Sequence, residues 1–335
     1  MDPEPLIAFF ERPKYRDALE IDTELGLYEK ETTPFVEKQF WDAIQPSKHS
    51  LASQGYIVED VIGKGPFSVV FRIHKEKDLA IKFSKFESEE GLSLENEILT
   101  ELDEYSQAKQ EEMLVKPIPT KTFYYKGSGE GDFNIHISVM EFQPYTMKDA
   151  IQGAANFSFL LKHWITIEPE NNHARSHYVA LESIFSTLSF RIFRLIFTLE
   201  ILQQDLEFVH GNLKLSNIFF GESDEKYVNM FISDMMFSRT KSYPEYPFQP
   251  SHDFRFFFVQ VWKQFDSIFD WSKKGSYWGF LNWWMDLILK AIEPFDMDYL
   301  RKNSLETIRK ESMKLSSEME PHELLTHPFF ACLKH

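Results

Sequence analysis

Between residues 56 and 142 the chain shows short runs dominated by β-branched and aromatic residues and separated by glycine and charged residues. Such runs are typical of strands joined by tight turns. In the last run Ile135, Ile137 and Val139 alternate with polar neighbours, as in a strand with one buried face. The pattern predicts five antiparallel strands, at residues 56–62, 69–74, 78–83, 120–125 and 133–142.

One helical pattern interrupts these strands, and helical patterns dominate the rest of the chain. Between residues 88 and 107 apolar residues recur at helical spacing. Further helices are predicted at 181–207, 252–268, 277–294 and 321–335. The sequence therefore predicts an α+β fold, with an antiparallel five-stranded part containing one helix at 55–143 and a mainly helical part at 144–335.

Residues 1–54 differ from both parts, because they contain five prolines among charged and aromatic residues and show no sustained periodicity. We interpret this segment as an N-terminal extension with one or two short helices. Docking of a partner and bracing of the neighbouring sheet are both open as its role.

Composition and charge restrict the partners and the compartment. The formal net charge is −16, from 36 basic and 52 acidic residues, which disfavours nonspecific binding to nucleic acid or an anionic membrane. Cys332 is the single cysteine, and the N-terminus lacks the pattern of a signal peptide. The richest apolar stretches contain charged residues and are interpreted as buried helices rather than membrane spans. We expect a cytoplasmic or nuclear protein without nucleic-acid or membrane partners.

Residues 208–217 read Phe-Val-His-Gly-Asn-Leu-Lys-Leu-Ser-Asn and carry the most informative motif. They resemble the catalytic loop of a eukaryotic-type protein kinase, in which His-Arg-Asp precedes a lysine and an asparagine. The resemblance implies that Lys214 contacts phosphate and that Asn217 binds a metal ion. Asn212 stands where the family has the aspartate that accepts the proton of the attacking hydroxyl. A carboxamide is neutral and has no basic oxygen, so this loop lacks its general base.

A second segment, residues 231–237, reads Phe-Ile-Ser-Asp-Met-Met-Phe and stands where the family has Asp-Phe-Gly. Because Mg²⁺ prefers anionic oxygen, the resemblance implies that Asp234 is its principal ligand, while Met235 and Met236 replace Phe and Gly. An isolated aspartate after a β-run is more often part of a simple turn. The spacing of 17 residues from Asn217 favours the motif.

Residues 61–70 read Val-Ile-Gly-Lys-Gly-Pro-Phe-Ser-Val-Val and are similar to the family's glycine-rich loop. Gly63 and Gly65 are in place, and Ser68 stands at the third glycine. Glycine lets backbone amides approach phosphates without a Cβ in the way, so the resemblance implies an ATP site. A plain structural turn would explain the same residues.

The run Leu-Ala-Ile-Lys-Phe at 79–83 resembles the strand that carries the family's phosphate-binding lysine, here Lys82. Glu97 is its expected partner, because Ile98 and the apolar register place that glutamate on the inward edge of the predicted helix. Glu95 is the competing choice.

The run Met-Glu-Phe-Gln at 140–143 resembles the hinge between the two lobes of the family. The resemblance implies that Met140 lies at the back of an adenine pocket and that backbone groups near Glu141 and Gln143 bind adenine. An ordinary core position for Met140 is compatible with that role.

Several family features are absent from the sequence downstream. There is no Ala-Pro-Glu, and the segment from Asp234 to Asp253 is short for an activation loop. Asp253 matches an aspartate that binds the backbone of the catalytic loop. Gly211 replaces the arginine that would hold an activating phosphate, so control through that arginine is not expected. The resemblance covers residues 56 to about 331 and implies a two-lobe protein-kinase-like fold.

The resemblance therefore implies a pseudokinase: a scaffold for a protein partner, with an active kinase as one candidate, that binds ATP and Mg²⁺ but transfers little or no phosphate. One alternative is a weakly active Ser/Thr kinase in which another acid, such as Asp205 or Glu207, replaces the base. A second is an interaction protein that does not bind nucleotide. A tryptophan cluster either forms an exposed partner-binding patch or, as we favour, packs in the core; it comprises Trp271, Trp278, Trp283 and Trp284.

Overall fold

The structure, a computed structural model, describes thirteen stretches of the chain. They are residues 57–64, 68–74, 78–86, 89–109, 115–117, 120–126, 134–160, 172–221, 229–242, 251–273, 279–312, 314–315 and 321–330. The predicted extension at residues 1–54, the glycine-loop residue Gly65, Trp278 and Cys332 lie outside them.

The described residues form two units, and their α+β class confirms the fold class predicted from the sequence. The first unit contains the described residues up to Thr100 together with Ile118–Phe142. The second contains Glu101–Pro117 and the chain from Gln143 onward.

The first unit contains an antiparallel sheet. Its strands are β1 (Ile57–Lys64), β2 (Ser68–His74), β3 (Asp78–Phe86), β5 (Thr120–Lys126) and β6 (Asn134–Glu141). They are ordered β1-β2-β3-β6-β5. Buried and half-buried residues alternate along the described part of β2, and three consecutive residues of β3, 79–81, are buried. In the central strands Phe71, Ile73 and Ile81 are almost completely buried. Helix α1 (Glu89–Ala108) follows β3, and its last residues belong to the second unit.

The second unit contains a small mixed sheet and most of the helices. Its strands are β4 (Val115–Pro117), β7 (Tyr145–Thr146), β8 (Ile218–Phe220) and β9 (Met230–Ile232), ordered β4-β9-β8-β7. Its described helices are α2 (Met147–Leu160), α3 (Asn172–Leu206), α4 (Ser251–Phe265), α5 (Gly279–Ile292), α6 (Met297–Lys302), α7 (Leu305–Ser312) and α8 (Pro321–Leu325).

Helix α4 is the most deeply buried element of this unit. All of its residues are buried except Lys263 and Gln264. Burial on nearly every side is typical of a helix at the centre of a large domain. Its buried polar side chains, Asp253 and Gln260 among them, therefore need hydrogen-bond partners inside the protein.

Aromatic side chains fill much of the core around α4. Trp284 of α5 lies edge-on to Phe185 of α3 and to Phe265 of α4, with ring centroids 5.4 and 5.7 Å apart. Trp271 is also buried, whereas Trp283 is 45% exposed. The favoured core interpretation of the tryptophans is therefore confirmed for Trp271 and Trp284 and wrong for Trp283. Among the described helices, none is both long enough and apolar enough to cross a membrane.

Neighbouring tryptophans on α5 give a matched test of this core. We expect Trp284→Ala to lower the free energy of unfolding by about 3–5 kcal/mol, because it leaves a cavity among packed rings. Trp283→Ala removes an exposed ring and should change it by less than about 0.5 kcal/mol. Urea unfolding followed by circular dichroism measures both. Equal losses for the two variants would contradict the packing described here.

Candidate functional site

The site is built on the loop that leaves helix α3. The helix ends at Leu206, and Glu207 adopts a positive φ of 51° that turns the chain. Val209 then pairs with Arg239 in an isolated antiparallel bridge. A short 3-10 turn, Leu215–Asn217, leads into β8. The loop thus lies beside the segment that follows β9.

Two side chains of α4 hold the backbone of this loop. The Asp253 carboxylate accepts the His210 N–H at 2.7 Å and the Gly211 N–H at 2.9 Å. Gln260 accepts the Leu215 N–H at 3.1 Å and donates to the Leu213 carbonyl at 3.0 Å. The buried helix therefore satisfies backbone groups at both ends of the loop, which fixes the position of Asn212 between them.

Neighbouring residues at the start of α4 have pKa values shifted by burial in opposite directions. Desolvation raises the pKa of Asp253 to about 7, and the two backbone N–H donors oppose that shift. Desolvation lowers the pKa of His252 to about 4, so His252 is neutral at physiological pH. Neutral His252 shares a hydrogen bond with the Ser312 hydroxyl, 2.7 Å from its Nδ1.

Asn212, Asn217 and Asp234 meet at the centre of the site. Asn212 Nδ2 donates to Asp234 Oδ2 at 3.0 Å, and Asn217 Nδ2 donates to the same oxygen at 3.2 Å. Asn217 Nδ2 also contacts the Asn212 carbonyl at 3.1 Å. Asp234 has a left-handed backbone with φ 67°, which aspartate tolerates better than most residues. Three residues singled out from the sequence are thus brought together.

The His210 ring contacts backbone groups of both segments that form this cluster. Its Nδ1 accepts the Asn212 N–H at 3.3 Å, so the ring proton is on Nε2, which donates to the Ser233 carbonyl at 3.0 Å. Desolvation lowers its pKa, against the opposing influence of Asp234, and the charge of Lys214 lowers it further. The ring is therefore a neutral brace that connects the loop to the residue before Asp234.

Arg309 of α7 is a site residue that the sequence analysis missed. Its guanidinium lies over the Phe237 ring at 4.8 Å and donates to the Gly211 carbonyl at 3.3 Å. Two further N–H groups bind the Glu306 carboxylate. Arg309 lies 98 positions after Gly211 in the sequence and belongs to none of the motifs. Its contacts with Gly211 and Phe237 connect the loop to the segment after Asp234, and no phosphate group takes part in them.

Asp205 and Glu207, the acids that the sequence analysis offered as substitute bases, face another partner or solvent. The Asp205 carboxylate accepts the hydroxyl of Tyr105, and Glu207 is exposed. Glu101 of α1 accepts the Thr240 hydroxyl at 2.7 Å and the Ser242 hydroxyl at 3.0 Å. Asp205 thus contacts the end of α1, and Glu101 contacts the segment after Asp234.

The expected position of Glu97 on the inward edge of α1 is wrong. Glu97 is exposed, whereas Glu95 is 5% exposed. Ile98 and Leu102 are fully buried, and Glu95 lies on their face because helical residues three or seven positions apart align. Lys82 is half-buried on β3. The competing choice, Glu95, therefore has the buried position.

The remaining nucleotide-site candidates are distributed over the sheet of the first unit and the residues that follow it. Gly63 pairs with Val70 near the end of β1, and Ser68 begins β2. Met140 is half-buried and Glu141 is exposed at the end of β6, while the half-buried Gln143 belongs to the second unit.

The donor types at Asp234 suit Mg²⁺, but their orientation does not suit a resident ion. Mg²⁺ binds carboxylate and carbonyl oxygens, and Asp234 and Asn217 could supply one of each. Both amides instead direct N–H groups at the carboxylate. Within the described stretches, no group of three or more His, Cys, Asp or Glu could hold a metal ion. A cation reaches Oδ2 only by displacing those donors.

No protein-family model matches the chain, and no curated protein matches it.

Gly211 gives a sharp test of the loop geometry. Its φ is +72°, and a Cβ there would lie 2.4 Å from the Phe237 carbonyl oxygen. We expect Gly211→Ala to lower the free energy of unfolding by about 1–3 kcal/mol, because the backbone conformation is strained and Phe237 must move. Gly153→Ala is the control: nothing lies within 4 Å of its added Cβ, and alanine favours a helix by about 0.5–1 kcal/mol. An unchanged free energy of unfolding in Gly211→Ala would contradict the loop conformation described here.

His252 should make stability depend on pH in a defined direction. Its folded pKa of about 4 lies below the ordinary value of 6.5, so protons bind the unfolded chain first. The stability that it contributes is complete above about pH 6.5 and is lost as the pH falls toward 4, by up to about 3 kcal/mol. Urea unfolding across this range should show a smaller loss for His252→Gln than for the wild type. The exposed His322→Gln serves as control, and an unchanged slope in His252→Gln would overturn the prediction.

Proposed function

We propose that this protein is a pseudokinase that serves as a scaffold for a protein partner and carries out little or no phosphoryl transfer. The observation that carries the proposal is Asn212, which the resemblance places at the general-base position and whose amide donates to Asp234 at 3.0 Å. A group that donates to its neighbour and has no basic oxygen cannot accept the proton of an attacking hydroxyl. Loss of a general base typically costs about 10²–10⁴ in rate.

The ordered motifs and the local geometry support a kinase-like framework. The asparagine and aspartate that are 17 residues apart meet in the second unit, as metal-site positions of such a fold should. Asp253 binds the backbone of the loop in the way the resemblance implies. A five-stranded sheet, with helix α1 inserted after its third strand in the sequence, precedes most of the helical unit, and this order agrees with that of the two lobes.

ATP is the proposed ligand. The residues that the resemblance assigns to it are Gly63, Gly65, Ser68, Lys82, Met140, Glu141 and Gln143, with Glu95 rather than Glu97 as the buried acid of α1. Mg²⁺ would arrive with the nucleotide phosphates, and Asn217 and Asp234 would be its protein ligands. Lys214 would contact the terminal phosphate. These groups bind a nucleotide without supplying a base.

The partner is proposed to be a protein, with an active kinase as one candidate, in the cytoplasm or nucleus. The charge of −16 disfavours polyanionic partners such as nucleic acid. Arg309 fixes the segment after Asp234 through Gly211 and Phe237, so the surface near this loop does not need an arginine at position 211 that binds an activating phosphate.

Phosphate transfer tests the proposal directly. The purified wild type is incubated with Mg²⁺ and labelled ATP, alone and with a generic protein substrate. We expect no more incorporation than in Lys82→Met, which controls for contaminating kinases. Asn212→Asp restores the family's acid, and its incorporation of labelled phosphate should not fall below that of the wild type. Incorporation by the wild type about 10²-fold above Lys82→Met would remove the scaffold proposal and favour a weakly active kinase.

Nucleotide-dependent thermal unfolding separates a nucleotide-binding scaffold from a nucleotide-independent one. ATP raises the melting temperature only if it binds the folded state. We expect a rise in the wild type that is smaller in Lys82→Met and in Asp234→Asn. No rise in the wild type favours the nucleotide-independent protein, and equal rises in all three contradict the assigned residues.

A further inference from the structure

The carboxylate of Asp234 is stabilised by the protein itself. One of its oxygens accepts two amide N–H groups, from Asn212 at 3.0 Å and from Asn217 at 3.2 Å. Hydrogen bonds to an ionised acceptor are stronger than those between neutral groups. The interaction that a bound cation would provide at this oxygen is therefore already partly supplied by amide donors.

The orientation of Asn212 shows that this interaction dominates the side chain. Asn212 is 3% exposed, and its Oδ1 is buried with no hydrogen-bond partner among the described residues. Turning the amide over would place Oδ1 against the Asp234 carboxylate, where two oxygens would repel each other. Leaving one neutral carbonyl oxygen without a donor is the smaller cost, because the flipped amide would lose a charge-assisted hydrogen bond and add repulsion between two oxygens.

We propose that the Asn212 amide takes the place of a resident divalent cation at Asp234. The nucleotide-free protein therefore needs no metal ion at this position, and the side chain at position 212 determines whether such an ion is required. This inference rests on the assignment of Asp234 in the proposed function. It nevertheless concerns a different property, because it describes the protein without nucleotide and without phosphate transfer.

An aspartate at position 212 would reverse this arrangement. The donor to Asp234 would be lost, and a second carboxylate would lie at about the 3.0 Å that the hydrogen bond now spans. Two carboxylates at this distance do not both remain ionised without a cation or a shared proton. A divalent cation with oxygen preference would bind between them and relieve the repulsion.

Thermal unfolding of the full chain without nucleotide tests the proposal. The wild type and Asn212→Asp are measured in EDTA, in MgCl₂ and in CaCl₂, with NaCl added to equal ionic strength. We expect the wild-type melting temperature to be the same in all three. Asn212→Asp should melt lower in EDTA and should regain about 3 °C or more with either cation. The exposed Asn229→Asp adds the same charge elsewhere and should show no cation effect.

Three results would overturn the inference. They are a cation-induced rise in the wild type equal to that in Asn212→Asp, a variant that is indifferent to cations, and an effect that persists in the double variant Asn212→Asp, Asp234→Asn. If Asn212→Asp does not fold, Asn212→Ala removes the donor without adding charge. Calorimetric Ca²⁺ affinity should then be about threefold or more above the wild type, and equal affinity would overturn the inference. None of these results depends on whether the protein transfers phosphate.

Discussion

The backbone of residues 210–215 is held by Asp253 and Gln260, and every other feature of the site depends on that contact. Both side chains belong to a helix that is buried on nearly all sides and cannot shift without disturbing the aromatic core around it. The loop in turn has no regular secondary structure to satisfy its polar backbone groups. The position of Asn212 is therefore determined by the core of the second unit, not by a ligand.

Framework and chemistry are separable in this arrangement. The contacts that place the loop use backbone N–H and carbonyl groups, which are indifferent to the side chain at position 212. The contacts that connect the loop to Asp234 use side-chain amide N–H groups, so they depend on which side chain stands at position 212. Gly211 and Arg309 extend the same division: position 211, where the resemblance places an arginine, is a glycine, and an arginine from α7 donates to its carbonyl. In the function proposed here, the fold retains its loop without a general base.

Motif spacing predicted which residues meet at the centre of this site, but the residues that surround them could not be predicted from the sequence. Asn217 and Asp234 meet because a short β-hairpin, β8 and β9, separates them, which fixes their approach within one local unit. Arg309 reaches Gly211 across 98 positions through helix packing, which no local pattern encodes. Ile98 and the apolar register of the sequence predict Glu97 on the inward edge of the helix. On a helix the buried face runs through positions three and seven apart, and Glu95 is on it.

A neutral side chain at position 212 also changes what the site depends on. Two carboxylates near each other form a stable pair only with a cation or a proton between them, so an active arrangement is tied to its ligand. An amide beside one carboxylate is stable by itself, since the donor and the acceptor belong to the same chain. The geometry around Asp234 is then stable without nucleotide. A scaffold of the kind proposed here benefits from that stability, because a partner can recognise the nucleotide-free form when ATP or Mg²⁺ is absent.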